Sequence, residues 1–173
     1  RPPLSKGFLL GGGESVESKS LLRQKKWYKT NKVRLKTQST VHSIDKDNQT
    51  ITVNNGDIIK YDKLVIASGA VPKELPSSKN MGNAFVLRQP ADANAIRQTA
   101  NNSDSVVIIG GGYIGLEVAS SLRKKGMEIT VIEAGERILA RVASKPLADH
   151  LHKLHVDNGV SVITGVGVES VNQ

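Results

Sequence analysis

Three glycines with the spacing G-x-G-x-x-G stand at Gly110, Gly112 and Gly115. They directly follow the apolar run Ser105–Ile109 and open a segment with helical periodicity. A glycine turn between a strand and a helix directs backbone amides and the positive end of the helix dipole at a pyrophosphate. The spacing therefore predicts a dinucleotide site; the alternative is that the glycines serve only helix–strand packing.

A carboxylate favours the first interpretation. Glu133 ends the next apolar run, 18 residues after Gly115. An acid at this place accepts hydrogen bonds from the adenine ribose hydroxyls and repels a 2′-phosphate, so the pattern favours NAD over NADP. Arg137 follows closely and is a candidate for binding such a phosphate, which leaves NADP open.

A fixed order of strands and helices is needed to position these residues. Periodicity predicts strands at 105–109, 128–132, 160–164 and 166–171, and helices at 92–101, 113–125 and 145–158. The first of these helices is expected to be capped at 89–92. Alternation of strand and helix predicts a parallel sheet with right-handed crossovers.

The first half of the chain shows no such alternation of strands and helices. Helices are predicted at 4–10 and 18–28, followed by short strands at 33–36, 40–45 and 50–53 that form a small antiparallel meander. The apolar run at 63–69 predicts a buried strand ending on small residues, and 85–87 predicts one more strand.

Composition narrows the chemistry. The 173 residues are 38% hydrophobic and 23% charged, as in globular proteins, and contain no cysteine. Within this span disulfides, thiolate metal sites and redox dithiols are thereby excluded, so redox chemistry would need a bound cofactor. No metal site, membrane span or signal peptide is expected; the chain begins without Met.

The net charge of +8 is unevenly distributed. A basic stretch at 19–36 carries no acid and contains Lys19, Arg23, Lys25, Lys26, Lys29, Lys32, Arg34 and Lys36. It would attract nucleic acid, acidic lipid or an acidic protein, and the alternative is an ordinary solvated surface.

Further motifs occur in a characteristic order: R-P-P-L-S-K at 1–6, L-V-I-A-S-G at 64–69, L-R at 87–88 with A-D-A at 91–93, G-G-G-Y-I-G-L-E at 110–117, and R-I-L-A-R-V at 137–142. Together they resemble the NADH-dependent ferredoxin reductases of the putidaredoxin and rhodocoxin reductase type, which are flavoproteins with two dinucleotide domains. Monodehydroascorbate reductase and apoptosis-inducing factor share much of this pattern. The resemblance covers nearly the whole chain.

The resemblance implies an α/β fold in which a Rossmann-like parallel-sheet NAD domain, residues 89–173, joins the remainder of an FAD domain, residues 1–88, with its small antiparallel meander. It implies that Arg1, Lys6 and Arg88 contact FAD and that the backbone at Val41 meets its adenine. Glu117 would approach the flavin and form an ion pair with Lys6, and both are candidate catalytic residues.

The NAD-binding positions implied are Gly110, Gly111, Gly112, Tyr113, Ile114, Gly115 and Glu133. Of these, residues 111–114 would meet the pyrophosphate, Glu133 the ribose, and Tyr113 would flank the nicotinamide. One departure concerns the family pattern A-T-G-x-R-P-R, which reads A-S-G-A-V-P-K at 67–73 and puts cofactor affinity near that loop in doubt.

The function implied is electron transfer from NADH through FAD to an acidic ferredoxin-type iron–sulfur protein in the cytoplasm. The family's first glycine motif would lie upstream of Arg1, and its ribityl-binding segment and interface domain beyond Gln173. We therefore expect these 173 residues alone to bind NADH weakly, retain no FAD and be inactive. One alternative is a regulator like apoptosis-inducing factor, which would bind nucleic acid through the basic stretch; nucleic acid is the less expected partner. The other alternative is an inert fragment.

Overall fold

The computed structural model describes residues 4–11 and 21–172. The helices are α1 (Gly7–Leu10), α2 (Lys25–Thr30), α3 (Pro90–Ala100), α4 (Tyr113–Arg123) and α5 (Lys145–Asp157), with one 3-10 turn at Pro76–Ser78. The strands are β1 (Val41–Asp45), β2 (Thr50–Val53), β3 (Ile58–Lys60), β4 (Ser105–Ile109), β5 (Glu128–Glu133) and β6 (Val160–Thr164).

The chain forms two compact units. The meander unit comprises residues 22–70, and the parallel-sheet unit comprises residues 71–172 together with the described residues before position 22. These units are defined by compactness. The boundary predicted between residues 88 and 89 separates an FAD-binding from an NAD-binding domain, and it stays a prediction.

The parallel-sheet unit contains the β-α-β-α-β succession expected from the sequence. Strands β4, β5 and β6 lie in that order and pair in parallel, with Ile109 beside Ile132 and Glu133 beside Thr164. Helix α4 packs on β5 through an apolar face, on which Ala119 and Leu122 are fully buried. The predicted parallel sheet is confirmed.

Helix α3 begins where its cap was predicted. The Asp92 carboxylate accepts the N–H groups of Arg88 and Gln89 at 2.8 and 2.7 Å, in a capping box with Pro90 in the first turn. These interactions satisfy amides that a helix start leaves without partners.

The amino-terminal segment packs into the same core. Helix α1 begins at Gly7, three residues later than the helix predicted at 4–10, because residues 4–6 form a turn. Phe8 and Leu9 are buried against α3 and α4, and the Arg97 guanidinium lies 5.2 Å from the Phe8 ring centre. Residues 4–10 are therefore part of the parallel-sheet unit.

The meander unit is an antiparallel sheet of β1, β2 and β3. The turn after β1 is held by Asp45, whose carboxylate accepts the backbone and side-chain N–H groups of Asn48. These bonds lower the pKa of Asp45, with the side-chain amide of Asn48 as the largest cause. Strand β3 was not predicted, because its three residues are too few to show a period.

Several predicted elements in this half are wrong. Residues 33–36 form no strand, and the predicted helix 18–28 is α2, which begins at Lys25; residues 18–20 lie outside the described residues. Residues 63–69 form no strand either, and Val65 and Ile66 are 84% and 71% exposed. A strand needs a neighbour for its backbone hydrogen bonds, and no described strand pairs with this segment.

Two predicted strands beside the parallel sheet are wrong for the same reason. Residues 85–87 and 166–171 are irregular. Val166 donates one backbone hydrogen bond to the Glu133 carbonyl at 3.3 Å, but the segment does not continue as a ladder. Over the described ranges, no helix has the length and apolar character needed to cross a membrane.

Candidate functional site

The glycine turn joins β4 to α4 and leaves the start of this helix without a side-chain cap. Gly110 has φ of +110°, a value that favours glycine, and Gly112 is the N-cap residue with extended backbone. The first amides of an uncapped helix are available to an anion, and the helix dipole favours negative charge there.

The glycines have different roles, which the space around each one shows. A Cβ on Gly115 would lie 2.1 Å from the Gly110 carbonyl oxygen, and a Cβ on Gly111 would lie 2.9 Å from Ile138 Cγ2. A Cβ on Gly112 would have no neighbour within 4 Å. Gly115 and Gly111 thus allow close packing, whereas Gly112 leaves space above the helix start for a ligand.

Glu133 lies at the carboxyl end of β5 and is bonded to the turn itself. Its Oε2 accepts the Gly111 N–H at 2.7 Å, and its Oε1 accepts the Gly135 N–H at 2.8 Å. Because the Gly111 amide already has a partner, the amides left to face a pyrophosphate are those of residues 112–114. A carboxylate has about four acceptor positions, so Glu133 keeps capacity for ribose hydroxyls.

The loop after β5 packs on the other side of the turn. Ile138 and Leu139 are 0% and 2% exposed, and the Leu139 N–H donates to the Gly111 carbonyl at 3.0 Å. The sequence motif R-I-L-A-R-V marked this loop only through resemblance, and its contact with the turn was not predicted.

A second cluster joins the amino-terminal segment to α4. The Lys6 ammonium lies 3.3 Å from Glu117 Oε1, so the expected ion pair is present. Ser5 Oγ donates to Glu117 Oε2 at 2.5 Å, and Ser121 Oγ donates to the Ser5 carbonyl at 2.8 Å. Sequence reasoning missed both serines; the only signal was the position of Ser5 inside R-P-P-L-S-K.

Exposure decides which contact holds Glu117. The Lys6 side chain is 62% exposed and that of Glu117 34%, whereas Ser5 and Ser121 are buried. We expect Lys6→Met to lower the free energy of unfolding by about 0–1 kcal/mol, since water screens an exposed pair. Ser5→Ala should lower it by about 1.5–3 kcal/mol, because a hydrogen bond to a charged group is lost.

Chemical denaturation measures both values, with Lys145→Met as the control. Lys145 forms a more exposed ion pair with Asp149 in the same unit, so its loss sets the lower limit of the effect. A loss above roughly 2 kcal/mol for Lys6→Met would show that the pair is more strongly desolvated than its exposure indicates.

The other predicted site residues are placed as follows. Tyr113 is half exposed, and its hydroxyl lies 3.5 Å from the Val142 carbonyl; Ile114 packs against the core. The side chain of Arg88 is exposed next to the α3 cap. Val41 lies on β1 in the meander unit, and Arg1 lies outside the described residues.

A broad cleft of the parallel-sheet unit passes the glycine turn. Its lining includes Gly110, Gly112 and Tyr113 of the turn, residues 139–142 of the adjoining loop, and residues 72–75 and 83–87 of the connecting segment. The arrangement can bind an extended ligand whose anionic centre lies at the helix start and whose hydroxyls meet a carboxylate.

A parallel sheet with this glycine turn, and with an acid at the end of the next strand, defines a dinucleotide-binding domain of the Rossmann type. The sequence pattern of the family "Pyridine nucleotide-disulphide oxidoreductase" matches residues 1–173, so the chain belongs to this family. The chain itself contains no cysteine.

Similar proteins include rhodocoxin reductase of Rhodococcus erythropolis and putidaredoxin reductase of Pseudomonas putida, each 34% identical over 99% and 96% of this chain. Among solved structures, the ferredoxin reductase for the CYP199A2 system from Rhodopseudomonas palustris has a TM-score of 0.91 at 30% identity over 100% of this chain and 42% of its own. The structure of the covalent putidaredoxin reductase–putidaredoxin complex has a TM-score of 0.87 at 35% sequence identity. The match covers 99% of this chain and 42% of the other. The chain spans 40% of the length of both named relatives.

Proposed function

We propose that the full-length protein is an FAD-dependent reductase that passes electrons from NADH to a ferredoxin-type iron–sulfur protein. The observation that carries this proposal is the start of α4, which has no side-chain cap and has open space next to Gly112. The Glu133 carboxylate is hydrogen-bonded to the same glycine turn. The relatives named as reductases of rhodocoxin, putidaredoxin and ferredoxin supply the electron acceptor class.

The residues fit a bound NADH. The amides of residues 112–114 would hold the pyrophosphate, Glu133 would accept the ribose hydroxyls, and Tyr113 would flank the nicotinamide. In this arrangement the protein positions the coenzyme and excludes a 2′-phosphate by charge.

FAD, when bound, supplies the conversion of a two-electron donor into single-electron transfer. We assign its contacts to Arg1, Lys6, Val41 and Arg88, and its domain to residues 1–88. Lys6 and Glu117 would place a cation and an anion together near the reactive ring. Because Ser5 holds Glu117 independently, the exposed Lys6 ammonium is free to turn toward negative charge on a ligand.

Activity of the full-length protein tests the proposal. Purified protein should carry a flavin absorption spectrum and oxidise NADH with a ferredoxin as acceptor, and NADPH should be a poor substitute. Absence of NADH oxidation by flavin-loaded protein would overturn the proposal. Salt-sensitive retention on DNA without turnover would support the nucleic-acid regulator instead.

We also propose that the protein is located in the cytoplasm, and cell fractionation tests this location.

The basic stretch supplies a prediction about partner association. Lys25, Lys26 and Lys29 are exposed on α2, in the meander unit. If they attract an acidic iron–sulfur protein, Lys25→Glu with Lys26→Glu should slow association about 10-fold at low salt and little at high salt.

Stopped-flow kinetics across a salt series measure this effect. Lys46→Glu with Lys60→Glu is the matched control, since both lysines are exposed on the same unit outside the stretch. An equal effect at all salt concentrations would point to altered folding, and no effect would leave the stretch as a solvated surface.

A further inference from the structure

We propose that Arg137 is a positioning residue that holds residues 138–143 against the glycine turn, and that it does not read a coenzyme phosphate. The inference deepens the proposed NADH binding and rests on it. Its basis is the set of backbone carbonyls that the Arg137 guanidinium contacts.

The guanidinium is occupied by its own loop. Nη2 donates to the carbonyls of Ala140 and Ala143, both at 3.1 Å, and Nη1 donates to the Ile138 carbonyl at 3.4 Å. The residue is half-buried. A planar fork with several N–H groups suits this task, because one rigid side chain can bind carbonyls on both sides of a turn.

The loop needs such support because its backbone is strained. Leu139 has φ of +54°, in the left-handed region that is unfavourable for a non-glycine residue. Its carbonyl nevertheless accepts the N–H groups of both Val142 and Ala143 at 3.0 Å. Strained backbone persists only where surrounding contacts determine it, and Arg137 supplies three such contacts to the residues that flank Leu139.

The strained residue is the one that touches the turn. Leu139 donates its N–H to the Gly111 carbonyl, and Ile138 packs where a Gly111 side chain would be. The Gly111 N–H in turn donates to Glu133. Arg137 therefore acts on the coenzyme site through the loop, Gly111 and Glu133, without contact with the expected pyrophosphate position.

The same contacts keep Arg137 from taking part in coenzyme choice. Three of the five guanidinium N–H groups are bound to these carbonyls, so turning the side chain toward a 2′-phosphate would break contacts that hold a strained loop. Such a turn would also bring the phosphate near the Glu133 carboxylate, which repels it. Arg137, whose position in the sequence left NADP open, thus supports either coenzyme through the loop, and the Glu133 carboxylate discriminates against the 2′-phosphate.

Calorimetry of NADH and NADPH binding to the full-length protein tests this role. The test variants are Arg137→Gln and Arg137→Lys, and the control is Arg123→Gln. Arg123 also donates to two backbone carbonyls, those of Met127 and Asn158, but at the other end of α4. We expect Arg137→Gln to weaken both coenzymes by a similar factor of about 10, as small displacements at binding sites do. Arg137→Lys should resemble it, and Arg123→Gln should bind as wild type does.

Selective loss of NADPH binding in Arg137→Gln, with NADH unchanged, would overturn the inference; so would full NADH affinity in Arg137→Lys. Hydrogen exchange gives a readout that needs no coenzyme: protection of the Leu139 amide should fall in both Arg137 variants and persist in Arg123→Gln. If wild-type protein bound no NADH, the proposed function would be contradicted. The role of Arg137 in holding the loop would still be supported if protection of the Leu139 amide fell in the Arg137 variants and persisted in Arg123→Gln. Unchanged protection in both Arg137 variants would refute the anchor.

Discussion

Gly115→Ala is expected to be the most destabilising single substitution in the glycine turn. The new Cβ would lie 2.1 Å from the Gly110 carbonyl oxygen and 3.3 Å from Ile108 Cγ2. The first contact is with backbone, so relief requires α4 to move away from β4. Overpacking in a well-packed core costs roughly 1–3 kcal/mol and occasionally more, and a backbone clash this close belongs at the upper end or beyond. Chemical denaturation measures the loss.

Gly112→Ala provides the matched control, because its Cβ would have no neighbour within 4 Å and its backbone is extended. Its stability should stay within about 1 kcal/mol of wild type. Coenzyme affinity should nevertheless fall about 10-fold, since the methyl group enters the space that a pyrophosphate needs. If Gly112→Ala destabilised the protein more than Gly115→Ala, the assignment of packing and ligand roles would be reversed.

Glu133→Ala has the second-largest expected effect, because it removes two kinds of contact at once. The Gly111 and Gly135 amides lose their acceptor, and the adenine ribose would lose its partner. Loss of hydrogen bonds to a charged group should weaken NADH binding by about 1–3 kcal/mol. The preference over NADPH should narrow, because the repulsive carboxylate is absent.

Calorimetry with both coenzymes measures this effect, with Glu128→Ala as the control at the opposite end of β5, where the side chain is exposed. Unchanged NADH affinity in Glu133→Ala would remove this residue from the site. A loss equal for both coenzymes would show that Glu133 acts only by holding Gly111.

Elements defined by local patterns could be predicted from the sequence. Helix α4 and strands β4, β5 and β6 were predicted because their periods and bounding glycines are contained in short windows. The same holds for the cap of α3, where Gln89, Pro90 and Asp92 are adjacent along the chain. Strand runs without a pairing neighbour gave wrong predictions at 63–69, 85–87 and 166–171, since apolar side chains alone do not provide backbone partners.

Short stretches of sequence were enough to predict the α/β class, the strand–turn–helix unit with its glycine spacing, and the acid at the end of the following strand. Which residues these side chains contact depends on how the distant parts of the chain pack together. This packing joins Glu133 to Gly111, Leu139 to the same turn, and Ser5 to Glu117, residues 22, 28 and 112 positions apart. Such contacts form when packing offsets the entropy of closing the intervening chain, and that balance depends on the whole core. The role of Arg137 belongs to this group: its charge suggested a phosphate, but the loop folded around it provides three backbone carbonyls instead.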